Sequence, residues 1–435
     1  MKIKFSFLSA FSASLHTLRE MLIFFFLCNV AAAQDIDYAR KVINDLCAPE
    51  MYGRGYVNNG DEAAAHYLRN QLEKMGVTPF DFNFYQDFKM NVNSFPGAMQ
   101  VKVDSTVLVP GIDFIVSPDA PSVSGTFQIL YLDRSVISNP KNLDEFEKAD
   151  KKDMVIVLDS TGLTKTEKEY FINAVKNPWA AKAIIKLVSE KLTWGVSQEV
   201  SPFAVIQTFK AKFPAKAATV NLNISNKFLP KYASQNILGF IEGKSKPDSS
   251  IVFSAHYDHL GMMGSETIFP GANDNASGTA MLLNLAQYYL LPENKPDYTI
   301  VFIFFGAEEA GLVGSKFYTE NPVFPLEEIK FLINIDLAGT GEEGITVVNG
   351  SVFEKEFKKM TELNDAKKYL AQVKVRGKAA NSDHYHFTEK GVPAFFIYTM
   401  GGIKAYHDVY DKPETLPLTE FQDLFRLLTD FVKTL

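Results

Sequence analysis

The second half of the chain alternates apolar runs with segments of helical spacing. Four runs are almost continuously apolar: IVFSAH (251–256), TIVFIFF (299–305), FLINID (331–336) and PAFFIYT (393–399). Such runs are typical of strands covered on both faces. Apolar residues recur at helical spacing over 277–291, 309–319 and 418–434. The alternation predicts an α/β fold over residues 233–435, in which helices flank a mixed, largely parallel β-sheet.

The residues before this region divide into two parts. Residues 34–85 predict two helices on either side of the loop MYGRGYVNNG, and Asp61 is the predicted cap of the second helix, which runs to Met75. Residues 86–232 contain short β-prone runs, at 126–132, 154–159 and 203–208, and one predicted helix over 177–191. We therefore expect a smaller β-rich domain over 86–232, inserted between the two parts of the main domain.

The first 33 residues have the pattern of an export signal. An apolar run from Met21 to Val30 is followed by three small residues, Ala31 to Ala33. This pattern predicts a signal peptide over 1–33 and an exported protein, periplasmic or secreted. The run is shorter than the roughly 20 residues that cross a bilayer, so no stable membrane span is expected after cleavage.

Charge and cysteine content narrow the chemistry. The chain has 44 basic and 51 acidic residues, a formal charge of −7, and no long basic run, which argues against nucleic-acid binding. Its two cysteines exclude a disulfide scaffold and an all-cysteine zinc site. Any metal chemistry must therefore use His, Asp and Glu.

Residues of those types follow the ends of the predicted strands. They are His256, Asp258, Glu308, Glu309, Asp336 and His407, and Asp274 lies in the turn GANDNASG. In open α/β sheets the carboxyl ends of the strands form the ligand crevice. Taken singly, a histidine there is usually a surface residue, Asp274 suits a helix cap and Glu308-Glu309 a solvated pair. Asp336 differs, because it ends an apolar run, and a buried carboxylate is costly without a cation or donors.

The order of these blocks resembles a known family. The blocks are SAHYDHLG, GANDNASGTA, FFGAEEAGLVGS, NIDLAGTG and YHDVYDKPE, preceded near the amino terminus by MYGRGYVNNGDEAAAHYLRNQLEKMG. Together they resemble the M28 metallopeptidases, the co-catalytic di-zinc aminopeptidase group, over nearly all of residues 235–435. The segment over about 85–230 resembles, more loosely, the protease-associated domain often found at that place. The resemblance implies a zinc-peptidase-like α/β/α sandwich and peptide substrates with a free amino terminus.

The resemblance also implies a role for each site residue. His256 and Asp336 would bind one zinc, Glu309 and His407 the other, and Asp274 would bridge them, giving two Zn²⁺ per chain. Glu308 would be the general base that takes a proton from water and passes it to the leaving amine. Asp258 would accept the second ring N–H of His256 and so set its tautomer.

Three further residues remain open as parts of the site. Tyr406 and His384 are both candidates for the donor to the oxyanion, and Asp383 is a candidate partner for the free amine of the substrate. His259 and His386 are expected to support the site or lie at the surface. His66 is expected on a helix surface.

Three other functions remain alternatives. A glutaminyl cyclase-type aminoacyltransferase shares much of this ligand set and uses a single zinc. A catalytically inactive relative would act as a binding module, although such proteins typically lose ligands. A carboxypeptidase or endopeptidase could use the same metals, because recognition of a free amine depends on a pocket that the sequence does not display.

Overall fold

The computed structural model of this chain describes residues 35–80 and 83–435, so the predicted signal peptide lies outside the described residues. The strands are β1 (Thr78–Pro79), β2 (Tyr85–Ser94), β3 (Met99–Val103), β4 (Thr106–Leu108), β5 (Phe114–Val116), β6 (Val123–Leu132), β7 (Met154–Asp159), β8 (Ala183–Val188), β9 (Ala204–Phe209), β10 (Thr219–Ile224), β11 (Lys227–Ile241), β12 (Lys246–His256), β13 (Gly261–Met263), β14 (Thr267–Phe269), β15 (Tyr298–Phe305), β16 (Ile329–Ile335), β17 (Ile345–Val348), β18 (Val373–Val375) and β19 (Ala394–Thr399).

The α-helices are α1 (Ile36–Leu46), α2 (Gly60–Met75), α3 (Arg134–Ile137), α4 (Pro140–Lys148), α5 (Lys165–Ala174), α6 (Gly278–Leu290), α7 (Val313–Glu320), α8 (Glu354–Lys367), α9 (His384–Glu389) and α10 (Phe421–Val432). None of them, over the described ranges, has both the length and the apolar character needed to cross a membrane.

The first sheet is mixed, and its centre is parallel. Its strand order is β1-β11-β15-β12-β16-β19-β17-β18, and β2 also pairs with β11. The pairs β15–β12, β12–β16 and β16–β19 are parallel, whereas β11 and β17 run antiparallel to their neighbours β15 and β19. The four apolar runs of the sequence are these four central strands. The predicted α/β class is confirmed.

Helices cover both faces of this sheet. Alternate strand residues such as Phe253 and Phe302 face one core, which α1, α2, α6 and α10 cover. The residues between them, such as Val252 and Val301, face a second core against Tyr318 of α7 and Phe387 of α9. Burial on both faces explains why the buried parts of these strands are almost continuously apolar. The result is the three-layer arrangement that the sequence indicated.

A second sheet is formed by residues 99–224, within the segment 86–232 that the sequence marks as an insert. Its order is β4-β3-β10-β6-β7-β8-β9-β5, and β6 to β9 are parallel. The predicted helix over 177–191 is wrong, because residues 183–188 form strand β8, while the helix lies earlier, at Lys165–Ala174. Pairing of β8 with β7 and β9 outweighs its local helical spacing.

The amino-terminal helices are present, but the predicted cap is not. Helix α2 begins after Asn59, which makes no side-chain cap bond. The Asp61 carboxylate instead accepts hydrogen bonds from the hydroxyls of Tyr232 (2.6 Å) and Ser234 (3.0 Å) on β11. Asp61 is therefore not a helix cap: it ties α2 to the edge of the first sheet, where burial raises its pKa to about 7.

Candidate metal centre

The first part of the site lies where β12 and β16 end side by side. The register pairs Ser254 with Asn334, so His256 and Asp336, each two residues further on, leave the sheet next to each other. His256 Nε2 lies 3.3 Å from Asp336 Oδ2 and 3.3 Å from Asp274 Oδ1. His256 Nδ1 lies 3.2 Å from the Asp258 carbonyl oxygen and 3.7 Å from its carboxylate. The carbonyl, rather than the expected carboxylate, is thus the hydrogen-bond partner.

Asp274 lies in the turn between β14 and α6, and this turn is held from two sides. Arg54 is fully buried and donates to the carbonyls of Pro270 (2.6 Å), Gly271 (2.8 Å) and Asp274 (3.2 Å). On the opposite side, the Asp411 carboxylate accepts the N–H groups of Asn273 (2.8 Å) and Asp274 (3.0 Å). The Arg54 guanidinium, bound to the carbonyls, and the Asp411 carboxylate, bound to the amides, together fix the turn that carries the Asp274 side chain.

Glycine is required at the start of this turn. Gly271 has φ +61°, and an added Cβ would stand 2.2 Å from the Asp274 carbonyl oxygen and 2.4 Å from the His259 ring. A larger residue would therefore push the turn away from the site.

Glu308 and Glu309 follow β15 on a loop that Asp258 holds. Asp258 Oδ1 accepts the Glu308 N–H (3.0 Å), and Oδ2 accepts the Glu309 N–H (3.3 Å) and the Tyr56 hydroxyl (3.1 Å). Ala307, just before them, has φ +59°, a strained value for a residue with a side chain. The Asp258 carboxylate therefore fixes the backbone of both glutamates.

His407 completes the second part of the site. Its Nε2 lies 3.1 Å from Asp274 Oδ2 and 3.1 Å from Glu309 Oε2. Its Nδ1 lies 2.9 Å from the Trp194 carbonyl oxygen, on the segment that joins β8 to β9 of the second sheet. The other oxygen of Glu309 lies 2.8 Å from His259 Nδ1. Both oxygens of the Glu309 carboxylate therefore face histidine nitrogens.

The site concentrates negative charge away from water. Six carboxyl groups meet here: Asp258, Asp274, Glu308, Glu309, Asp336 and Asp383. Within the described ranges, the ion-pair contacts of these groups are with histidines alone. Burying several carboxylates without cations is costly, so the arrangement calls for added positive charge.

The pKa shifts follow from this crowding. Burial raises the pKa of Glu308 well above its usual value, and the charges of Glu309, Asp383 and Asp336 add to the shift. Burial would also raise the pKa of Glu309, but His407 and His259 outweigh it and hold the pKa at about 2. The ligand set is thus ionised at Glu309, while Glu308 has a high affinity for a proton.

The donor atoms fit zinc. Imidazole nitrogen and carboxylate oxygen are zinc ligands at about 2.0–2.2 Å, and in a tetrahedron of that size neighbouring donors lie about 3.3 Å apart. The four N···O separations between the histidines and Asp274, Asp336 and Glu309 are 3.1–3.3 Å. Asp336 Oδ1, in addition, is buried without a hydrogen-bond partner among the described residues. The residues present therefore suit a cation of this kind.

The remaining sequence candidates are distributed around this cluster. The Tyr406 ring stacks on His407 with centroids 4.0 Å apart, and burial raises the pKa of its hydroxyl. Asp383 and His384 are fully buried, and burial raises the pKa of Asp383 to about 7 and lowers that of His384 to about 4. His386 is half-buried. His66 is exposed on α2, as predicted, where its Nδ1 contacts the Tyr85 hydroxyl.

Sequence reasoning missed three residues that shape the site: Arg54, Trp194 and Asp411. His259, which was expected to support the site or lie at the surface, is fully buried beside Glu309 and could itself join Asp274 and Glu309 around a metal. A signal existed for two of them, since Arg54 is the one charged residue of the loop MYGRGYVNNG and Trp194 is one of two tryptophans in the chain.

Comparisons of the sequence with known proteins point to one family. Residues 236–432 match the model of Peptidase family M28. A stretch of 206 residues, 46% of this chain, is 32% identical to 42% of Aminopeptidase YwaD of Bacillus subtilis. A 112-residue stretch, 26% of this chain, is 40% identical to 11% of the Vacuolar membrane protease of Kluyveromyces lactis. The chain thus spans less than half the length of these curated relatives.

Solved structures share the fold along nearly the whole chain. A zinc aminopeptidase from Bacillus subtilis, BSAP, superposes with a TM-score of 0.67 at 21% identity, covering 92% of this chain and 95% of that chain. An aminopeptidase from Aneurinibacillus sp. strain AM-1 gives a TM-score of 0.62 at 17% identity, covering 92% and 94%. Residues 236–432 thus match the model of Peptidase family M28, and the chain shares its fold with these solved aminopeptidases.

Proposed function

We propose that the protein is an exported aminopeptidase that removes amino-terminal residues from peptides with two zinc ions per chain. The observation that carries the proposal is the placement of Asp274. One of its carboxylate oxygens lies 3.3 Å from His256 Nε2 and the other 3.1 Å from His407 Nε2. A carboxylate so placed can serve two metals at once.

The ligands divide into two sets around Asp274. His256 and Asp336 would hold one zinc, and Glu309 and His407 would hold the other. Each zinc then has three protein ligands, which leaves a position open for water or substrate, as catalytic zinc sites require. Zinc at such a site supplies Lewis-acid polarisation of the peptide carbonyl and acidification of water.

Glu308 is the proposed general base. It follows the loop residue Ala307 directly, and Asp258 accepts its backbone N–H at 3.0 Å, which fixes the backbone at this position. A carboxylate oxygen of Glu308 lies within 4.8 Å of ligand atoms of His256 and Glu309, so it would stand beside the metals. A carboxylate whose burial raises its pKa accepts a proton from water more readily than a solvated glutamate. Glu308 would then deliver that proton to the leaving amine. Asp258 acts through Glu308 by fixing its position.

Recognition of the carbonyl and of the amino terminus is assigned to two nearby residues. The Tyr406 hydroxyl is the proposed donor to the oxyanion, because Tyr406 is 44% exposed and stacks on His407, whereas His384 is fully buried. Asp383 is the proposed partner of the substrate's free ammonium, because neither of its carboxylate oxygens has a hydrogen-bond partner among the described residues. An amide in place of that amine would leave this carboxylate unpaired.

The central test combines metal content with a substrate panel. Mass spectrometry should find two zinc atoms per chain, and aminoacyl-p-nitroanilides should be cleaved until a chelator is added. Acetylation of the substrate's amine should abolish cleavage. Pyroglutamate release from Gln-β-naphthylamide without anilide release would favour the cyclase, and a chain that purifies without metal and without activity would overturn the proposal.

Two further parts of the proposal concern the whole chain. The segment 1–33 is proposed as a cleaved export signal, on the strength of its apolar run and the small residues after it. Sequencing the amino terminus of protein recovered from the cell envelope or medium should begin near Gln34. Residues 86–232 are proposed as an inserted domain, since the second sheet lies within them.

A further inference from the structure

We infer that the second sheet supports the metal centre, because the segment 189–198, which joins its strands β8 and β9, positions the ligand His407. The inference rests on the proposed function in one respect: it takes His407 as a metal ligand. It assigns Lys191 and Trp194 as positioning residues and predicts that one of the two metals depends on them.

The ring of His407 takes its orientation from the segment 189–198. A metal-binding histidine usually donates its other ring N–H to a carbonyl or carboxylate, which fixes both tautomer and orientation. For His407 that partner is the Trp194 carbonyl oxygen, 2.9 Å from Nδ1. With Nδ1 so engaged, Nε2 is the nitrogen left to face Asp274 and Glu309. The partner of this ligand thus comes from the other sheet.

The backbone of His407 is held by the same segment. Its φ is +54°, in the left-handed region, which is strained for a residue with a Cβ. The Trp194 N–H donates to the His407 carbonyl oxygen at 3.0 Å, so the two residues are joined by two hydrogen bonds. These bonds supply a reason for the strained conformation to persist.

Lys191 contacts the residues on either side of His407. Lys191 Nζ donates to the Lys404 carbonyl oxygen (2.8 Å), pairs with Asp408 Oδ2 (2.7 Å) and stands 6.0 Å from the Tyr406 ring centroid. Lys191 and Trp194, on the segment that joins β8 to β9, therefore contact four of the five residues from 404 to 408. Asp408, which is almost fully buried, has Lys191 as its cationic partner.

The segment 189–198 is itself held in place by packing and by hydrogen bonds. The Trp194 indole is buried against Phe269 (ring centroids 4.6 Å apart), and its Nε1–H donates to the Val116 carbonyl at 2.9 Å. Gln198 Nε2 donates to the Ala310 carbonyl at 2.8 Å, one residue after Glu309. The segment is anchored in the core of its own sheet and touches both loops that carry the second pair of ligands.

The opposite half of the site has no such dependence. His256 Nδ1 finds its partner in the Asp258 carbonyl, two residues along the same chain segment. Loss of the contacts from the second sheet should therefore weaken the metal at Glu309 and His407 and spare the metal at His256 and Asp336.

The test compares matched variants of the full-length protein. Lys191→Met removes the ammonium and keeps the stem, whereas Lys191→Arg keeps the charge. Lys210→Met is the control, because Lys210 directly follows β9 of the second sheet, pairs with Asp159 at the same 2.7 Å and has the same 40% side-chain exposure. Trp194→Phe is paired with Trp179→Phe, which removes an indole donor to Glu147 of α4, elsewhere in the segment 86–232. Each chain is stripped of metal and titrated with zinc against a chromophoric chelator.

Lys191→Met and Trp194→Phe should weaken one of two zinc ions by about tenfold or more, the range for loss of a residue that orients a ligand. Lys191→Arg should restore most of that affinity, and both controls should bind like the wild type. Lys191→Met should lower the melting temperature of the metal-free protein modestly, because Asp408 loses its cationic partner, and Lys191→Arg should restore it. Unchanged affinities for both ions, or equal weakening of both with a lower melting temperature, would overturn the inference. A wild-type chain that binds no zinc would instead contradict the proposed function.

Discussion

The two halves of the metal centre are built in different ways. His256 and Asp336 leave neighbouring parallel strands, and the register of those strands alone brings them together. Glu309 and His407 lie on loops, four residues beyond β15 and eight beyond β19, and both loops pass through positive φ values. The side chain of His256 is 2% exposed and that of His407 is 15% exposed.

The comparison shows what each half needs from the rest of the molecule. A ligand pair set by strand register is as stable as the sheet itself. A ligand pair on loops needs contacts from elsewhere, and here they come from Asp258, His259 and the segment around Trp194. Asp274 belongs to both halves, so its own supports affect the whole site. Four substitutions can break or sharpen this distinction.

Asp274→Ala should have the largest effect, because it removes a ligand from both halves. We expect loss of both zinc ions and a fall in activity of at least about 1,000-fold, since the chemistry supplied by the metals goes with them. Mass spectrometry of the purified variant measures the first and an aminoacyl-p-nitroanilide assay the second. Asp297→Ala, at the amino end of β15, serves as the control. Retention of one tightly bound zinc would show that the halves do not share Asp274.

Glu308→Gln should leave both halves intact and remove only the base. The amide keeps the shape of the side chain, and the backbone N–H still donates to Asp258, so two zinc ions should remain. Turnover should fall by about 100- to 10,000-fold, the usual contribution of a general base. Steady-state kinetics and metal analysis of the same preparation test both statements. Wild-type turnover would mean that another group takes the proton.

Arg54→Met should destabilise the protein and weaken both zinc ions. It leaves the carbonyls of Leu46, Tyr257 and the Asp274 turn without their buried donor, and we expect a loss of about 3 kcal/mol or more in the free energy of unfolding. Urea denaturation of the metal-free protein measures it. Arg40→Met is the control, since Arg40 also donates to carbonyls, of Leu416 and Pro417, but near the surface. Equal effects of the two substitutions would remove the special role of Arg54.

His259→Phe should have the smallest effect and should touch one half only. It keeps a ring of similar shape and removes the Nδ1 contact to Glu309, so the zinc at Glu309 and His407 should bind about tenfold more weakly. Zinc titration with His407→Phe in parallel makes the comparison decisive. If His259 rather than His407 were the ligand, His259→Phe would lose that zinc altogether and His407→Phe would keep it.

The parts of the fold that sequence reasoning predicted share a physical cause. Strands β7, β15, β16 and β19 were placed within a few residues, because near-complete burial makes them almost continuously apolar. The helix predicted over 177–191 failed because Ala183–Val188 is apolar in a way that suits either structure. It forms a strand because it pairs with residues 28 positions earlier in β7 and 21 positions later in β9, and no local pattern reports such pairing.

The sequence by itself determined the class of the fold, the order of its apolar strands and the acidic and histidine residues that follow them. These features can be predicted because the residue at each position indicates whether that position is buried and what chemistry it can carry. Its resemblance to a family then suggested a role for each. Only the tertiary structure decided that Arg54 and Asp411 hold the Asp274 turn, that His259 faces Glu309 and that Trp194 of the second sheet supports His407. Those contacts join residues tens to hundreds of positions apart, and their partners are often backbone carbonyls and amides, which every residue carries and which no sequence pattern can therefore reveal.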